Sequence, residues 1–250
     1  MRVSFLDLPI DILTMDETVD RALEGMRSRT RVQHVAVNVA KVVKAQSDAE
    51  LREDIVGSDL IGVDGMGLVL GLRMAGIRVP ERAAGIDLMN RLLEQCAAKG
   101  YRPYFLGATD SVVHRAAEEA CRRYPGLVMA GIQDGYFTPE EESRIVDRVR
   151  ASNADCLFIG LPTPAKERLL GKYRDRFGVP FVMGVGGSFD VLSGMVARAP
   201  VWVQKSGFEW LYRVLQEPRR LWWRYASTNA AFLRLMCSVL AQRVTTGKVH

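Results

Sequence analysis

Asp64 lies within Ile61-Gly62-Val63-Asp64-Gly65-Met66-Gly67, a carboxylate between glycines directly after an apolar run. Glycine tolerates left-handed backbone and close approach to a ligand, so Asp64 could stand exposed in a cleft as a proton acceptor. An Asx turn closed by its own side chain is the bland alternative. Asn38 ends a second apolar run, His34-Val35-Ala36-Val37-Asn38, where it serves as a polar contact or as a turn former. Arg82, in Pro80-Glu81-Arg82-Ala83-Ala84-Gly85-Ile86-Asp87, precedes a predicted helix, a place where the helix dipole does not favour a cation. It suits an anionic ligand or a surface salt bridge. Gly160-Leu161-Pro162-Thr163-Pro164-Ala165-Lys166-Glu167 follows an apolar strand and opens a helix, as an anion-binding junction does. The loop Gly184–Gly187 is a second candidate phosphate cradle.

Other chemistries lack their residues. No G-x-x-x-x-G-K-[ST] phosphate loop occurs, and Gly184-Val185-Gly186-Gly187-Ser188-Phe189 has Phe where a dinucleotide fingerprint needs its third glycine. There is no H-E-x-x-H, and the three histidines, His34, His114 and His250, are poorly placed for a metal. No Asp-x-Asp is present to hold a metal beside a nucleotide-sugar. The four cysteines, Cys96, Cys121, Cys156 and Cys237, form no C-x-x-C pair and are expected to be thiols in a reducing compartment.

These loops need a scaffold, and the apolar patterning supplies one. β-Branched runs recur at 34–39, 104–106, 127–132, 156–161 and 180–185, with helical stretches at 40–54, 85–99, 110–123, 139–151 and 163–176. Thr109 and Thr138 read as helix starts, and Gly100, Gly126 and Gly178 as helix or loop ends. The alternation predicts an α/β fold, a Rossmann-like sandwich with a mostly parallel sheet. Ligands in such sheets gather at the carboxyl ends of the strands, where the candidate loops fall.

The chain has 250 residues, 48% hydrophobic and 25% charged, a composition that excludes a disordered or collagen-like protein. Its net charge of +5 is uneven: residues 198–250 carry nine Lys/Arg against two acids, leaving the first 197 slightly acidic. All four tryptophans also lie in that tail. We therefore divide the chain into a body, 1–197, and a basic, Trp-rich helical appendage, 198–250. Trp222 and Trp223 favour the headgroup depth of a bilayer, and residues 230–243 suit an interfacial helix better than a spanning one. A helix pair packed on the body or a subunit interface is the competing reading. Nucleic acid is not expected as a partner, because the basic residues alternate with large apolar ones. The Asp- and Pro-interrupted start is no signal peptide, so the protein is expected to be cytoplasmic and peripheral on the inner face of the cell membrane.

Taken in order, the blocks VNVAKVV, GVDGMGLVLGLRMAG, PERAAGIDL, YFLGA, DGYF, FIGLPTPAKE, GVGGSFDVLSG and RAPVWVQKSGFEWLYRVLQEPRRLWWRY resemble the WecG/TagA/CpsF family of bacterial glycosyltransferases. The likeness runs over about residues 33–230, and its last two blocks are the most specific. It implies an inverting, metal-independent transfer of a hexose, of N-acetylmannosamine or glucose type, from a UDP-sugar to a polyprenyl-diphosphate-linked sugar in cell-surface polysaccharide synthesis. No cofactor is implied. Carried over residue by residue, it makes Asp64 the general base and matches Asn38 and Arg82 to family site positions; Lys166, Glu167, Gly186, Gly187 and Asp190 are expected as further substrate contacts. It makes Arg213, Arg220 and Arg224 ligands of the lipid diphosphate on a membrane-docking appendage. Spacings of seven and four put these arginines on one helix face unless Pro218 interrupts it.

Two positions depart from the family pattern: Ala36 replaces a frequent Thr, and Lys166 stands where many members have Gln. Both are expected where a sugar hydroxyl is read, and the Lys versions resemble an exopolysaccharide branch with glucose-type donors. A homo-oligomer is a possible assembly, and a catalytically idle nucleotide-binding or scaffold protein of the same fold is the alternative function.

Overall fold

The computed structural model describes residues 1–216 and 218–246, with the side chains of 205, 220 and 242–246 outside that description. The chain opens with an antiparallel hairpin, β1 (Arg2–Phe5) and β2 (Leu8–Asp11). Helix α1 (Met15–Ser28) follows, started by a capping box in which Thr14 and Glu17 satisfy each other's backbone N–H. Next come β3 (Val32–Val37), α2 (Val39–Ala45), α3 (Ala49–Val56), β4 (Leu60–Val63) and α4 (Met66–Met74). The middle of the chain supplies α5 (Gly85–Lys99), β5 (Pro103–Gly107), α6 (Asp110–Arg123), β6 (Gly131–Gln133) and α7 (Glu142–Ala151). Then follow β7 (Cys156–Gly160), α8 (Ala165–Lys172), β8 (Phe181–Gly184) and the short α9 (Ser188–Leu192). The last fifth is helical: α10 (Val201–Ser206), α11 (Glu209–Gln216) and α12 (Pro218–Thr246).

The predicted α/β class holds. Six strands form one sheet in the order β4-β3-β8-β7-β5-β6, and every pair in it is parallel. Helices cover both faces, so β5 and most of β7 are buried throughout and read as continuous apolar runs rather than alternating ones. Several expected elements are differently bounded. The single helix expected over 40–54 is two, because Asp48 turns the chain and caps α3 by accepting from the Leu51 N–H at 3.0 Å. The strand expected over 127–132 is only Gly131–Gln133. The helices expected over 139–151 and 163–176 shorten to α7 and α8. The 85–99 and 110–123 helices have the expected limits, with Gly100 closing α5 in the left-handed region at φ 74° and Thr109 capping α6.

Pro218 does interrupt the tail: α11 ends at Gln216 and α12 begins at Pro218, so Arg213 and Arg224 belong to different helices rather than to one face. Arg220 falls in α12, but its side chain lies outside the described residues. Helix α12 returns to the body, and Phe232 and Met236 are buried in the core cluster built from β3, β4, α2 and α4. The expected interfacial helix is thus packed on the body along one side, while Trp222, Trp223 and Leu233 remain exposed. Among the described residues no helix is long and apolar enough to cross a membrane.

Gly71 sets how closely α12 approaches. A Cβ there would come within 2.6 Å of the Phe232 ring and 3.4 Å of the Met236 sulfur. Gly71→Val is therefore expected to push α12 away from α4 and cost about 1–3 kcal/mol, as overpacking does. Thermal unfolding and the rate of proteolytic cleavage within α12 check this. An unchanged melting temperature with unchanged cleavage would show that the contact does not hold the helix.

Candidate active site

Parallel pairing of β3 with β4 puts the ends of the two strands side by side. The Asp64 N–H donates to the Val37 carbonyl at 2.7 Å, so Asn38 and Asp64, the residues that follow each strand, share the carboxyl edge of the sheet. Asn38 caps α2, its Oδ1 accepting from the Lys41 N–H at 3.1 Å. Gly65, at φ 89°, turns the chain from Asp64 into α4 in a conformation that disfavours side chains. No side chain caps α4, and among the described residues no donor bonds the Asp64 carboxylate. The Asx-turn alternative does not describe this residue.

Asp64 and Asn38 line a cavity of about 490 Å³ between the sheet edge, the loop before α5 and the C-terminal helices. Arg82, Arg213 and Arg224 line it too. Burial pushes the Asp64 carboxyl above its ordinary value. The Arg82 charge opposes that rise most, Glu209 adds to it, and Lys41 and Arg213 oppose it. Arg82 is paired: its Nη1 donates to Glu209 Oε2 at 2.9 Å, with both side chains largely buried. A second tie, Arg198 to Asp87 at 2.7 Å, fastens the start of the tail to the first turn of α5. Trp210 and Tyr225, whose ring centroids are 5.7 Å apart, join α11 to α12 at the same wall.

The other expected contacts lie elsewhere. Lys166 and Glu167 do not line the cavity but are buried in a group of charges with Lys41. Lys41 Nζ contacts Glu167 Oε1 at 2.9 Å and donates to the Ala36 carbonyl at 2.7 Å. Lys166 Nζ lies 3.1 Å from the same Glu167 oxygen and donates to Thr163 Oγ1 at 2.6 Å. Burial pulls Lys166 down to about 8, Lys41 pushes the same way and Glu167 opposes. Burial alone would raise Glu167, but the two ammonium groups outweigh it and hold the carboxylate below its ordinary range. Ala36 is buried as well, so neither of the two departures from the family pattern stands at the cavity surface. Gly186, Gly187 and Asp190 sit in the adjoining loop and α9, outside the lining, which that region reaches through Ser188.

Lys41, Glu209 and Trp210 escaped the reading by residue type. For Glu209 a signal existed, since it is one of two acids in a strongly basic tail. All four cysteines are free thiols, and Cys96 and Cys156 are buried with their sulfurs 3.6 Å apart. Among the described residues no group of three or more His, Cys, Asp and Glu side chains is placed to hold a metal ion.

The profile of the glycosyl transferase WecG/TagA/CpsF family matches residues 3–248. The chain belongs to this family of glycosyltransferases. A relative from Bacillus spizizenii, an N-acetylglucosaminyldiphosphoundecaprenol N-acetyl-β-D-mannosaminyltransferase, is 38% identical over 193 residues, 77% of this chain and 72% of its own length. An unbonded carboxylate of raised pKa among arginines can accept a proton beside an anionic ligand.

The buried charges predict a pH dependence of stability. Lys166 holds its proton less tightly folded, near 8, than unfolded, near 10.5. Between these values the unfolded chain binds more protons, so stability should rise with pH across that window. Lys166→Met is expected to flatten this rise. Melting temperatures of both proteins from pH 7.5 to 10.5 test it, and parallel curves would count against the assignment.

Proposed function

We propose that the chain transfers a hexose from a UDP-sugar to a sugar carried on a polyprenyl diphosphate, by an inverting, metal-independent single displacement. The unbonded Asp64 carboxylate at the base of an arginine-lined cavity carries this reading. The acceptor hydroxyl oxygen attacks the anomeric carbon as the bond to the UDP oxygen breaks. Asp64 takes the hydroxyl proton, and the electron pair leaves with UDP. Asn38, beside Asp64, is a hydrogen-bonding contact to the sugar. Arg82 balances charge on the leaving diphosphate, while Arg213 and Arg224 hold the diphosphate of the acceptor through their forked donors. Lys166 and Glu167 take a supporting part, fixing Lys41 beneath Asn38 and Asp64.

The relative's printed activity favours N-acetylmannosamine as the sugar and N-acetylglucosamine as its acceptor. Residues 198–250 act as an appendage that closes the cavity and meets the membrane. Its exposed Trp202, Phe208, Trp222 and Trp223 support that contact.

A donor screen with UDP-N-acetylmannosamine, UDP-glucose, UDP-N-acetylglucosamine and UDP-glucuronate, each with a prenyl-diphosphate-linked acceptor, tests the proposal. EDTA-resistant transfer from one donor is expected. Transfer abolished by EDTA and restored by a divalent cation would refute the metal-free displacement. Asp64→Asn should lower kcat by about 10²–10⁴-fold while leaving UDP affinity intact. Lost UDP binding would instead make Asp64 structural.

Glu209 helps to raise the pKa of Asp64, and its removal takes away a negative neighbour. Since the base must be ionised, activity should climb with pH through the Asp64 transition. In Glu209→Gln that acid limb is expected at lower pH in kcat/KM, whereas an unmoved limb would place Glu209 outside the control of the base.

A further inference from the structure

The cavity has two chemically different ends. Asp64, Arg82, Glu209, Arg213 and Arg224 give one end its charge. The opposite wall is apolar, formed by Leu70, Gly71 and Met74 of α4 facing Phe232, Leu233 and Met236 of α12. No lining side chain on these two stretches is charged. Helix α4 starts two residues after Asp64 and reaches Met74 eight residues later, about 12 Å along its axis. Helix α12 likewise passes from Arg224 to Phe232 in eight residues, about 12 Å. Their meeting at Gly71 places the apolar stretch beyond the charged one. Leu70, Met74 and Leu233 are 54%, 48% and 62% exposed, although they adjoin a well-buried core cluster. An exposed apolar strip continuous with a cationic pocket matches an amphiphile with an anionic head and a hydrocarbon tail.

We propose that the groove between α4 and α12 binds the first isoprene units of the acceptor's own prenyl chain, with Leu70, Met74 and Leu233 as its specificity-determining contacts. This rests on the reading of the chain as a transferase to a prenyl-diphosphate-linked sugar. The groove selects acceptors by their lipid as well as their sugar. It also holds the head group in register with Asp64, because a chain seated between the helices fixes the distance from the diphosphate to the catalytic carboxylate.

Calorimetric titration without membranes tests the groove apart from catalysis, using farnesyl diphosphate and inorganic diphosphate as probes. The wild-type protein should bind the farnesyl compound about tenfold or more tightly, the advantage expected from burying a few methylene groups. Leu70→Gln and Leu233→Gln change exposed side chains, so the fold is preserved, and each should bring this ratio towards one. Val128→Gln, an equally exposed apolar residue on the body, should leave the ratio unchanged. Equal affinities in the wild type, or a ratio that survives both groove substitutions, would overturn the proposal. So would a loss of affinity for vesicles of phosphatidylglycerol in the groove variants without any change in the ratio, which would make the strip a bilayer contact. A preserved farnesyl advantage in a protein that transfers no sugar would sink the transferase reading and leave the groove standing.

Discussion

The seat of α12 on α4 is the constraint on which the site depends. The sheet alone offers Asp64 and Asn38 on an open edge, with no wall opposite them. Gly71 lets the Phe232 ring lie where a larger residue would place its own Cβ, and Met236 fills the adjoining space. From that contact α12 runs back towards α11, bringing Tyr225 against Trp210 and setting Arg224 at the rim. An apolar contact away from the reacting atoms thus determines where the cations stand. Close packing makes such a contact unforgiving, because neither helix can shift without losing the fit of the other.

The charges around Asp64 are arranged in depth. Beneath the floor, Lys41 is held by Glu167 and the Ala36 carbonyl, which fixes a positive charge behind the sheet edge that carries Asp64. At cavity level Arg82 is engaged by Glu209. The cavity wall therefore does not present bare guanidinium groups on all sides. Any anionic ligand at Arg82 would compete with the Glu209 carboxylate, exchanging one anion for another. The two carboxylates also differ in role: Glu167 is permanently paired, whereas Asp64 is left to titrate.

Much of the fold was legible because it rests on local signals. Thr109 and Gly100 mark helix ends through hydrogen bonds and backbone angles that neighbouring residues determine. Apolar runs such as Cys156–Ile159 declare a buried parallel strand by composition. The β1–β2 hairpin has only four-residue strands, and β6 has three residues, too few for a period to emerge. Asp64, Asn38, Arg82, Arg213 and Arg224 do share one cavity, though Arg82 comes from the loop before α5 and Arg213 and Arg224 from two different helices. The burial of Lys166 and Glu167 was not legible, because a glycine- and proline-rich turn looks alike whether its polar residues face a ligand or a buried partner. Their true partner, Lys41, is far away in sequence, and the Arg82–Glu209 pair spans 127 positions. No local pattern encodes such contacts.

The position of the second wall in the chain also has a consequence for biosynthesis. The strands that carry Asn38 and Asp64 emerge from the ribosome long before residues 224–236, which close the cavity. A nascent chain stalled or cleaved after α9 would contain the whole sheet and both edge residues, yet it would have no enclosed chamber in which to collect a substrate. Translation order thereby withholds the enclosed cavity until α12 is made.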